Sequence, residues 1–518
     1  MVVDYKPASA DINPEDSPVK QLMTRYKKAL AIKDQWNPTF EDCYEYCLPQ
    51  RESFYSETIG RSRNDRIFDE TAVVGVQEFA SRLQAGIVPT FARWADFQAG
   101  VEIPPEQKPE INKSLDAITD YVFEVLQNSN FNQEIHECFM DLAVGTGCML
   151  VEEGDAVNPI KFTAVPLPKI CLMNGPDGRI DTVYRTRVVK PEHISVLYPK
   201  AIIPENFDPL KMKKDCTIIE AIYKVYEENV EKYKYCVVMQ DAKAVIFEET
   251  YTGEGANPYL VFRWNKASGE VYGRGPIFNA MGAIKTCNLT IELILQNAQM
   301  SVSGVYTYED DGVINPDNIS LVPGSLIPVA PGSRGLNPIP AASNFDVAQL
   351  VLQDMRQNIK KALYMETLGR PEGTPMTATE VSERMADLSR QIGSSFGRLQ
   401  SELIHPLLKR IIRLLSKQGR IDLPKVNGRE VKVAARSPLA KAQHMQDISD
   451  VNRFNEIIAG TFGPQMINVI VNQNETAKYL AEKMNLPEKL IRDEQEQQQI
   501  VQQISQLQSS ASEGEVPQ

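Results

Sequence analysis

The chain has 518 residues with ordinary globular proportions, 42% hydrophobic and 24% charged, so it can bury a sizeable core in several domains. Its formal net charge is −13. A protein that wraps DNA tightly is expected to be basic, because phosphate neutralisation supplies most of that affinity. The charge therefore argues against tight DNA binding, although acidity that serves only solubility explains it equally well.

The cysteines, the first residues and the most apolar stretch narrow the class of protein that the sequence allows. Eight cysteines are scattered without a Cys-x-x-Cys pair, and the chain holds four histidines, so we expect free thiols in a reducing cytosol and no zinc site. The first residues, MVVDYKPASADINPEDSP, lack the apolar core of a secretory signal. The most apolar long stretch, 277–305, contains Lys285 and Glu292 and is unsuited to span a membrane.

The first half of the chain reads as helices followed by strands. Apolar spacing predicts helices over 19–48, 66–89, 111–127 and 131–143, with Pro49 and Pro89 as stop signals. Short runs rich in β-branched and aromatic residues, separated by turn signals, then predict an antiparallel β-rich segment over 148–265.

Two long helices are predicted to flank an insert. The first runs from Pro276 to Ser303, since proline suits a first helical position and apolar residues recur at spacings of three and four. The second runs from Phe345 to Met365. The insert, 304–343, is rich in proline and glycine, which favours short strands and tight turns.

The last part of the chain is predicted to be helical with defined breaks. A loop over 367–376 precedes a long helix from Thr377 to about Gln418, weakened at Gly393, Gly397 and Pro406, with Gly419 as its cap. A small hairpin over 420–436 is expected around Asn427-Gly428. Helices follow over 438–499, with a break at Gly463-Pro464.

Motifs that would carry catalysis are weak or absent. No Gly-Lys dipeptide occurs, so there is no P-loop, and Gly145-Thr-Gly147 reads as a structural turn. Gly393-Ser-Ser-Phe-Gly397 matches a nucleophile elbow around Ser395, but it lies inside a helical pattern instead of following a strand. The acidic clusters at 309–311 and 152–153 lack convergent partners for a metal. We expect no enzyme activity and no cofactor.

Basic residues near the two long helices are the candidate DNA contacts. A few cations in an acidic surround could touch phosphates without trapping the polymer. The alternative is that these charges are solvated or form salt bridges between subunits. The candidates are Lys285, Arg356, Lys360, Lys361 and Arg370.

Three blocks of sequence resemble the head-to-tail connector (portal) family of short-tailed, podovirus-type phages. The first is Trp264-Asn-Lys-Ala-Ser-Gly-Glu-Val-Tyr-Gly-Arg-Gly-Pro276, and the second is Pro375-Met-Thr-Ala-Thr-Glu-Val381 with the residues that follow it. The third is Arg66-Ile-Phe-Asp with Ala80, Leu83 and 89–94. The signature residues singled out are Tyr272, Gly273, Gly275, Pro276, Thr377, Glu380 and Arg384; Gly393, Phe396, Arg398, Glu402 and Pro406 extend the second block.

The resemblance implies an α+β portal fold, mainly α-helical, with a β-rich wing segment, long stem helices, a small α/β or β clip and a helical crown. The implied regions are a flexible N-terminal arm (1–18), a wing (19–272, helical over 19–145 and β-rich over 148–265), stem helices (273–303 and 344–366), a clip (304–343), a tunnel loop (367–376), a long kinked wing helix with a small hairpin (377–437), a crown (438–500) and a Gln/Ser-rich tail (501–518).

The resemblance also implies a function and its partners. Twelve subunits would form a ring at one capsid vertex, through which double-stranded DNA is packaged and ejected without sequence specificity, with Arg370 nearest the DNA. The implied partners are the terminase motor, tail adaptor proteins, major capsid and scaffolding proteins, and ejected core proteins at the crown, with assembly in the host cytoplasm and no membrane. The alternatives are a helical scaffold or adaptor that never meets DNA, and a serine hydrolase that uses Ser395.

Overall fold

The structure of the chain is a computed structural model that describes residues 18–51, 66–90, 92–98, 108–204, 215–225, 232–303, 306–307, 331, 337–338, 345–365, 393–422, 432–435, 438–463 and 469–484. Tertiary contacts divide the chain into two compact units. The first unit comprises 1–38, 78–275 and 367–518, and the second comprises 39–77 and 276–366.

The helices lie where the apolar periodicity predicts them, apart from one short helix, Pro191–Leu197, inside the segment predicted to be β-rich. They are α1 (Pro18–Cys47), α2 (Thr71–Ile87), α3 (Lys108–Asn128), α4 (Phe131–Val144), α5 (Pro191–Leu197), α6 (Pro276–Ser303), α7 (Phe345–Ala362), α8 (Gly393–Leu399), α9 (His405–Lys417), α10 (Pro438–Phe462) and α11 (Gln473–Met484). The predicted helix over 66–89 is shorter than expected at its start. Asp69 accepts the backbone N–H of Thr71 at 2.8 Å, which explains why α2 begins there.

The strands are β1 (Ala95–Gln98), β2 (Thr146–Glu153), β3 (Ile160–Ala164), β4 (Ile170–Asn174), β5 (Ile180–Val189), β6 (Cys216–Val225), β7 (Lys232–Met239), β8 (Ala244–Thr252), β9 (Tyr259–Arg263), β10 (Tyr306–Thr307), β11 (Asn337–Pro338) and β12 (Lys432–Ala435). Every pairing between them is antiparallel. The predicted antiparallel β-rich segment is therefore confirmed, and the chain is a mixed helix-and-sheet protein.

A five-stranded sheet, β4-β5-β6-β7-β8, forms the centre of the first unit. Both of its faces are buried, so neighbouring residues of one strand face different cores. Ile218 packs with Ile194 of α5, whereas Ile219 packs with Leu22 and Ala29 of α1. This two-sided burial explains why β6 reads as a continuous apolar run and not as an alternating one.

The buried carboxylate of Glu220 interrupts that apolar run on β6. It is 2% exposed and accepts hydrogen bonds from the hydroxyls of Tyr198, at 2.5 Å, and of Tyr259. Arg187 donates to the same carboxylate at 3.0 Å, and Arg185 lies 3.7 Å away. A buried charge of this kind is tolerated only because its partners replace water.

A second sheet, β3-β2-β9, packs against α4 and α9. Hydrogen bonds add to the contact between α9 and this sheet. The buried Arg410 of α9 donates to the carbonyl oxygens of Val151, Gly255 and Ala256. These are neutral acceptors, so burial lowers the pKa of the Arg410 guanidinium to about 10.

The segment just before α6 explains the glycines of the first resembling block. A Cβ atom added at Gly273 would overlap the carbonyl oxygen of Gly145, and one added at Gly275 would overlap that of Ala143. The Gly275 N–H donates to Val144 O at 2.9 Å. Gly145-Thr-Gly147 thus forms the α4–β2 turn that the sequence predicts, against which the glycines of the signature lie backbone to backbone.

The other signature residues of this block are held nearby. The hydroxyl of Tyr272 accepts the N–H of Leu172 at 3.2 Å, and the side chain of Tyr272 is fully buried. Pro276 is buried and opens α6, as predicted. Thr377, Glu380 and Arg384 lie outside the described residues.

Three predictions for the last part of the chain can be compared with the structure. Gly419 and Gly463 have φ of +68° and +86° and follow α9 and α10, which confirms both breaks. Before Pro406, where the helix is predicted to be weakened, Gln400–Ile404 form a turn of π-helix. The hairpin over 420–436 stays a prediction, because its turn at Asn427-Gly428 lies outside the described residues; within it, β12 pairs with the distant β1.

All eight cysteines are unpaired and buried, which confirms the expectation of free thiols. Of the helices that the structure describes, none combines the length and the apolar character needed to cross a membrane.

Replacing Gly275 by alanine should destabilise the first unit by about 2–3 kcal/mol, because the backbone of Ala143 and Val144 leaves no room for a methyl group. Gly282 is the matched control. It lies on α6 with open space around it, so Gly282→Ala should be neutral or stabilise by up to about 1 kcal/mol. Urea unfolding followed by far-ultraviolet circular dichroism, which reports the helices of both units, measures both effects, and equal midpoints for the two variants would contradict this interpretation of the junction.

Candidate functional site

The candidate site is the helix pair of the second unit, α6 and α7, which pack against each other. Their ends near the insert are joined by the antiparallel pair β10 and β11, which brings the end of α6 next to the start of α7. The helix pair is therefore a hairpin. The prediction of two long helices around a strand-containing insert is confirmed, although most of the insert, 304–343, lies outside the described residues.

Burial differs between the two halves of this hairpin. In the half remote from β10 and β11, the buried apolar residues are Ile277, Ala280, Ile284, Cys287, Ile359 and Leu363. From the middle of α6 towards these strands, Leu289, Leu293 and Leu295 are exposed by 52–55%, and on α7 Leu350 is exposed by 69% whereas Leu352 is buried. Single exposed leucines are normal, but Leu289 and Leu293 lie one turn apart and share a face of α6, and Leu295 lies on a different face of the same helix. We call Leu289 and Leu293 the exposed leucine stripe.

The buried carboxylate of Asp69 anchors both helices to the segment before α2. Arg356 of α7 donates to Asp69 Oδ2 through Nε at 2.7 Å, and Cys287 of α6 lies 3.2 Å from the same oxygen. Burial acts to raise the pKa of Asp69, but the hydrogen bonds from Thr71 and Arg356 outweigh it, so the pKa lies below its ordinary value. Asp69 is therefore ionised at neutral pH and binds α7 through a charge-assisted contact.

Asn288 of α6 completes this anchor through the backbone. Its Oδ1 accepts the N–H groups of Phe68, at 2.7 Å, and of Asp69, at 3.3 Å, while its Nδ2 donates to Arg66 O at 2.8 Å. The block Arg66-Ile-Phe-Asp69, which the sequence marked only by resemblance, thus holds α6. The sequence assigned no role to Asn288, since a polar residue on a helix has no distinguishing local signal.

The candidate cations fall into three groups. Lys285 Nζ lies 2.6 Å from Asp42 Oδ2 and Arg356 is bound to Asp69, so a carboxylate already compensates each. Lys360 and Lys361 are exposed in the last turn of α7 and form no ion pair with another described residue. Arg370, with the predicted tunnel loop 367–376, lies outside the described residues.

The end of α7 has a fixed backbone conformation. Met365 N–H donates to Lys360 O at 2.8 Å and Tyr364 N–H to Lys361 O at 3.2 Å, while Tyr364 has φ of +59°. This pattern is a Schellman cap, in which a tyrosine takes the left-handed position that glycine usually occupies. The helix therefore ends earlier than the predicted Met365, and the two lysines stand where a helix C-terminus favours cations.

The candidate nucleophile Ser395 makes a structural contact instead of a catalytic one. It is buried on α8, and its Oγ donates at 3.1 Å to Asn265 Oδ1, which is an amide oxygen and not the imidazole nitrogen that a nucleophilic serine needs. Glu152 and Glu153 end β2, and 309–311 lie outside the described residues. Across the part of the chain that the structure describes, no three His, Cys, Asp or Glu side chains converge as a metal site requires.

Comparison with known proteins identifies the family. The model of the family described as "Bacteriophage head to tail connecting protein" matches residues 19–491. The chain belongs to this family. It is a head–tail connector protein, a structural component of the virion at the junction of head and tail.

Relatives of this connector protein are portal proteins at low identity. It is 22% identical over 477 residues to the "Probable portal protein" of Bordetella phage BPP-1, covering 85% of this chain and 82% of that protein. It is 21% identical over 401 residues to the "Portal protein" of Escherichia phage T7, covering 74% and 72%. Among solved structures, a chain of the "Virion of native gene transfer agent (GTA) particle" is 13% identical, with a TM-score of 0.35 over 80% of this chain and 90% of that one.

Replacing Asp69 by asparagine should loosen the anchor of the connector's helix pair by about 1.5–2 kcal/mol, because the charge-assisted hydrogen bond from the half-exposed Arg356 would be lost. Hydrogen exchange should then become faster by roughly tenfold or more in peptides that cover 66–77 and 283–290. Asp42→Asn, which removes the exposed partner of Lys285, should cost less than about 1 kcal/mol. Equal exchange in the two variants would show that Asp69 is not the anchor.

Proposed function

We propose that this connector protein is the portal subunit of its phage, and that twelve copies close into a ring around a channel for double-stranded DNA. The observation that carries the proposal is the exposed leucine stripe. Burying a leucine completely contributes about 1.5–3 kcal/mol, so leucines left in water on a structural helix pair favour association.

We infer a ring because exposed leucines lie on more than one side of the helix pair. Leu289 and Leu293 share one face of α6 and Leu295 lies on another, so a subunit can contact a neighbour on each side. Contacts between different faces of neighbouring copies continue from copy to copy until the rotation closes. In the proposed assembly the two helices form the stem, with the buried half of each hairpin held by Asp69 and the exposed half packed between subunits.

The proposed channel combines an acidic protein with a few free cations. A net charge of −13 repels phosphates and keeps DNA from adhering along its length. Lys360 and Lys361 are the candidates best suited to touch phosphates, because both are exposed and neither is used by a described carboxylate. We propose that they act together with Arg370 in the loop that follows, making weak contacts that are independent of sequence.

The remaining regions keep the roles that the resemblance implies, as proposals. The insert 304–343 would be the clip, which docks the terminase motor during packaging and tail adaptor proteins afterwards. Residues 19–272 and 377–437 would form the wing beside the major capsid and scaffolding proteins. Helices α10 and α11 would belong to a crown over 438–500, facing ejected core proteins inside the capsid. Assembly would take place in the host cytoplasm.

The alternative is a helical scaffold or adaptor that never meets DNA. Ser395 is buried and donates its hydroxyl hydrogen to the side-chain amide of Asn265, which gives no support to the hydrolase alternative. Negative-stain microscopy of the purified chain separates portal from scaffold, because only a portal forms rings with a central hole.

Replacing Leu293 by glutamate should abolish rings, because a charge would then have to be buried at each subunit contact. Mass photometry and negative-stain images should show monomers or small oligomers with an unchanged circular-dichroism spectrum. Val157→Glu is the control, since Val157 is 86% exposed in a loop of the first unit and should leave rings intact. Rings formed by Leu293→Glu at the wild-type yield would exclude the stripe as the interface.

Removing the free cations should affect DNA but not assembly. In Lys360→Ala/Lys361→Ala, and separately in Arg370→Ala, we expect normal rings with impaired packaging or retention of DNA, because weak phosphate contacts are lost. Packaged DNA per particle is measured by nuclease protection. Lys190→Ala/Lys200→Ala, which removes exposed lysines of the first unit, controls for net charge. Wild-type packaging and retention in both channel variants would rule out this role.

A further inference from the structure

A cationic cleft lies within the first unit, built from three separate stretches of chain. It has a volume of about 370 Å³. The turn between β4 and β5 contributes Arg179, the end of β9 and the residues after it contribute Arg263 and Lys266, and the junction of α8 with the π-helical turn contributes Arg398 and Glu402. Four of these five charged side chains are basic, in a chain whose net charge is −13.

The single carboxylate of the cleft is fully engaged by one of the arginines. Glu402 Oε1 lies 2.6 Å from Arg263 Nη2, and Glu402 Oε2 accepts Arg263 Nε at 3.2 Å and the Arg263 backbone N–H at 2.9 Å. Arg263 itself is 2% exposed. This bidentate pair therefore lies at the buried side of the cleft and neutralises one of its four cations.

Three positive charges remain without a compensating carboxylate among the described residues. Lys266 Nζ donates only to a neutral acceptor, Gly178 O, at 2.7 Å. Arg179 is exposed and Arg398 is half-buried, and neither forms an ion pair with a described side chain. Arg93 differs from these three cations, because it forms ion pairs with the carboxylates of Asp96, Asp116 and Asp120.

The neighbouring positive charges affect the pKa of Lys266. Burial lowers the pKa of its ammonium group, and the positive charges of Arg263 and Arg398 lower it further, while Glu402 offsets part of the effect. Cations held together in this way repel one another, and an anion between them would remove that repulsion. The geometry of the cleft is thus arranged for a negatively charged ligand.

We propose that this cleft is a binding site for phosphate groups. Guanidinium and ammonium groups that converge from three stretches of chain match an anion with several oxygens and more than one charge, which a phosphate ester or polyphosphate provides and a single carboxylate does not. The phosphate could belong to a nucleic-acid strand or to a free phosphate compound. The site is separate in sequence from the proposed channel residues, and the proposal does not depend on ring formation.

The test is titration calorimetry of the full-length protein with two probes, pyrophosphate and a short DNA duplex, at about 50 mM salt, where screening is weak. The variant Lys266→Gln/Arg398→Gln removes two of the three free charges and should weaken pyrophosphate binding by about tenfold or more. Lys190→Gln/Lys200→Gln removes two exposed lysines elsewhere in the same unit and should stay within about twofold of wild type.

The DNA probe identifies the source of the phosphate. A parallel loss of duplex affinity in the cleft variant assigns the site to nucleic acid, and a loss for pyrophosphate alone assigns it to a free phosphate compound. Arg179→Gln, a change at an exposed turn, provides a second variant that should fold normally and weaken binding by about threefold.

Two results would overturn the proposal. One is equal binding of both probes by wild type, cleft variant and control. The other is a wild-type protein that binds neither phosphate probe but binds poly-glutamate through the cleft, which would make the site a contact for an acidic protein partner. Negative-stain images of the cleft variant should show normal rings, which keeps this result separate from the ring proposal.

Discussion

The close approach of two backbone segments at Gly145, Gly273 and Gly275 is the constraint on which the start of the helix pair depends. Carbonyl oxygens of the α4–β2 turn occupy the space that side chains would fill, so only glycine fits at these positions. The N–H of Gly275 is bonded to Val144 O, and Pro276 then opens α6 at once. The glycines of the signature block are thus a steric requirement.

Charge compensation separates structural residues from candidate functional ones. Glu220 and Asp69 are buried, and each is surrounded by hydroxyl, guanidinium or backbone donors that replace water. Such groups fix the fold and have no capacity left for a ligand. Lys360, Lys361 and three cations of the cleft, Arg179, Lys266 and Arg398, form no ion pair with a described carboxylate, and for this reason they carry the proposals about phosphate.

Apolar residues of the second unit differ in burial along the helix pair. In the part of the α6–α7 hairpin near Asp69, Ile284, Cys287 and Ile359 are buried, whereas nearer β10 and β11 Leu293, Leu295 and Leu350 are more than half exposed and Leu352 is buried. In the proposed ring, the anchored part would hold the hairpin in place and the exposed leucines would contact neighbouring copies.

The sequence alone determined the elements with strong local signals. Pro276 and the apolar spacing behind it fixed α6, and Gly419 and Gly463 marked helix ends, because helix periodicity and positive φ are properties of neighbouring residues. Tertiary structure alone decided which distant residues meet: Asn288 with 66–69, and β12 with β1. The cleft belongs to the same class, since Arg179, Lys266 and Arg398 converge only after three stretches of chain have packed. Long-range partners leave no periodic trace in the sequence, because any charged residue on a surface looks the same until its neighbours are in place.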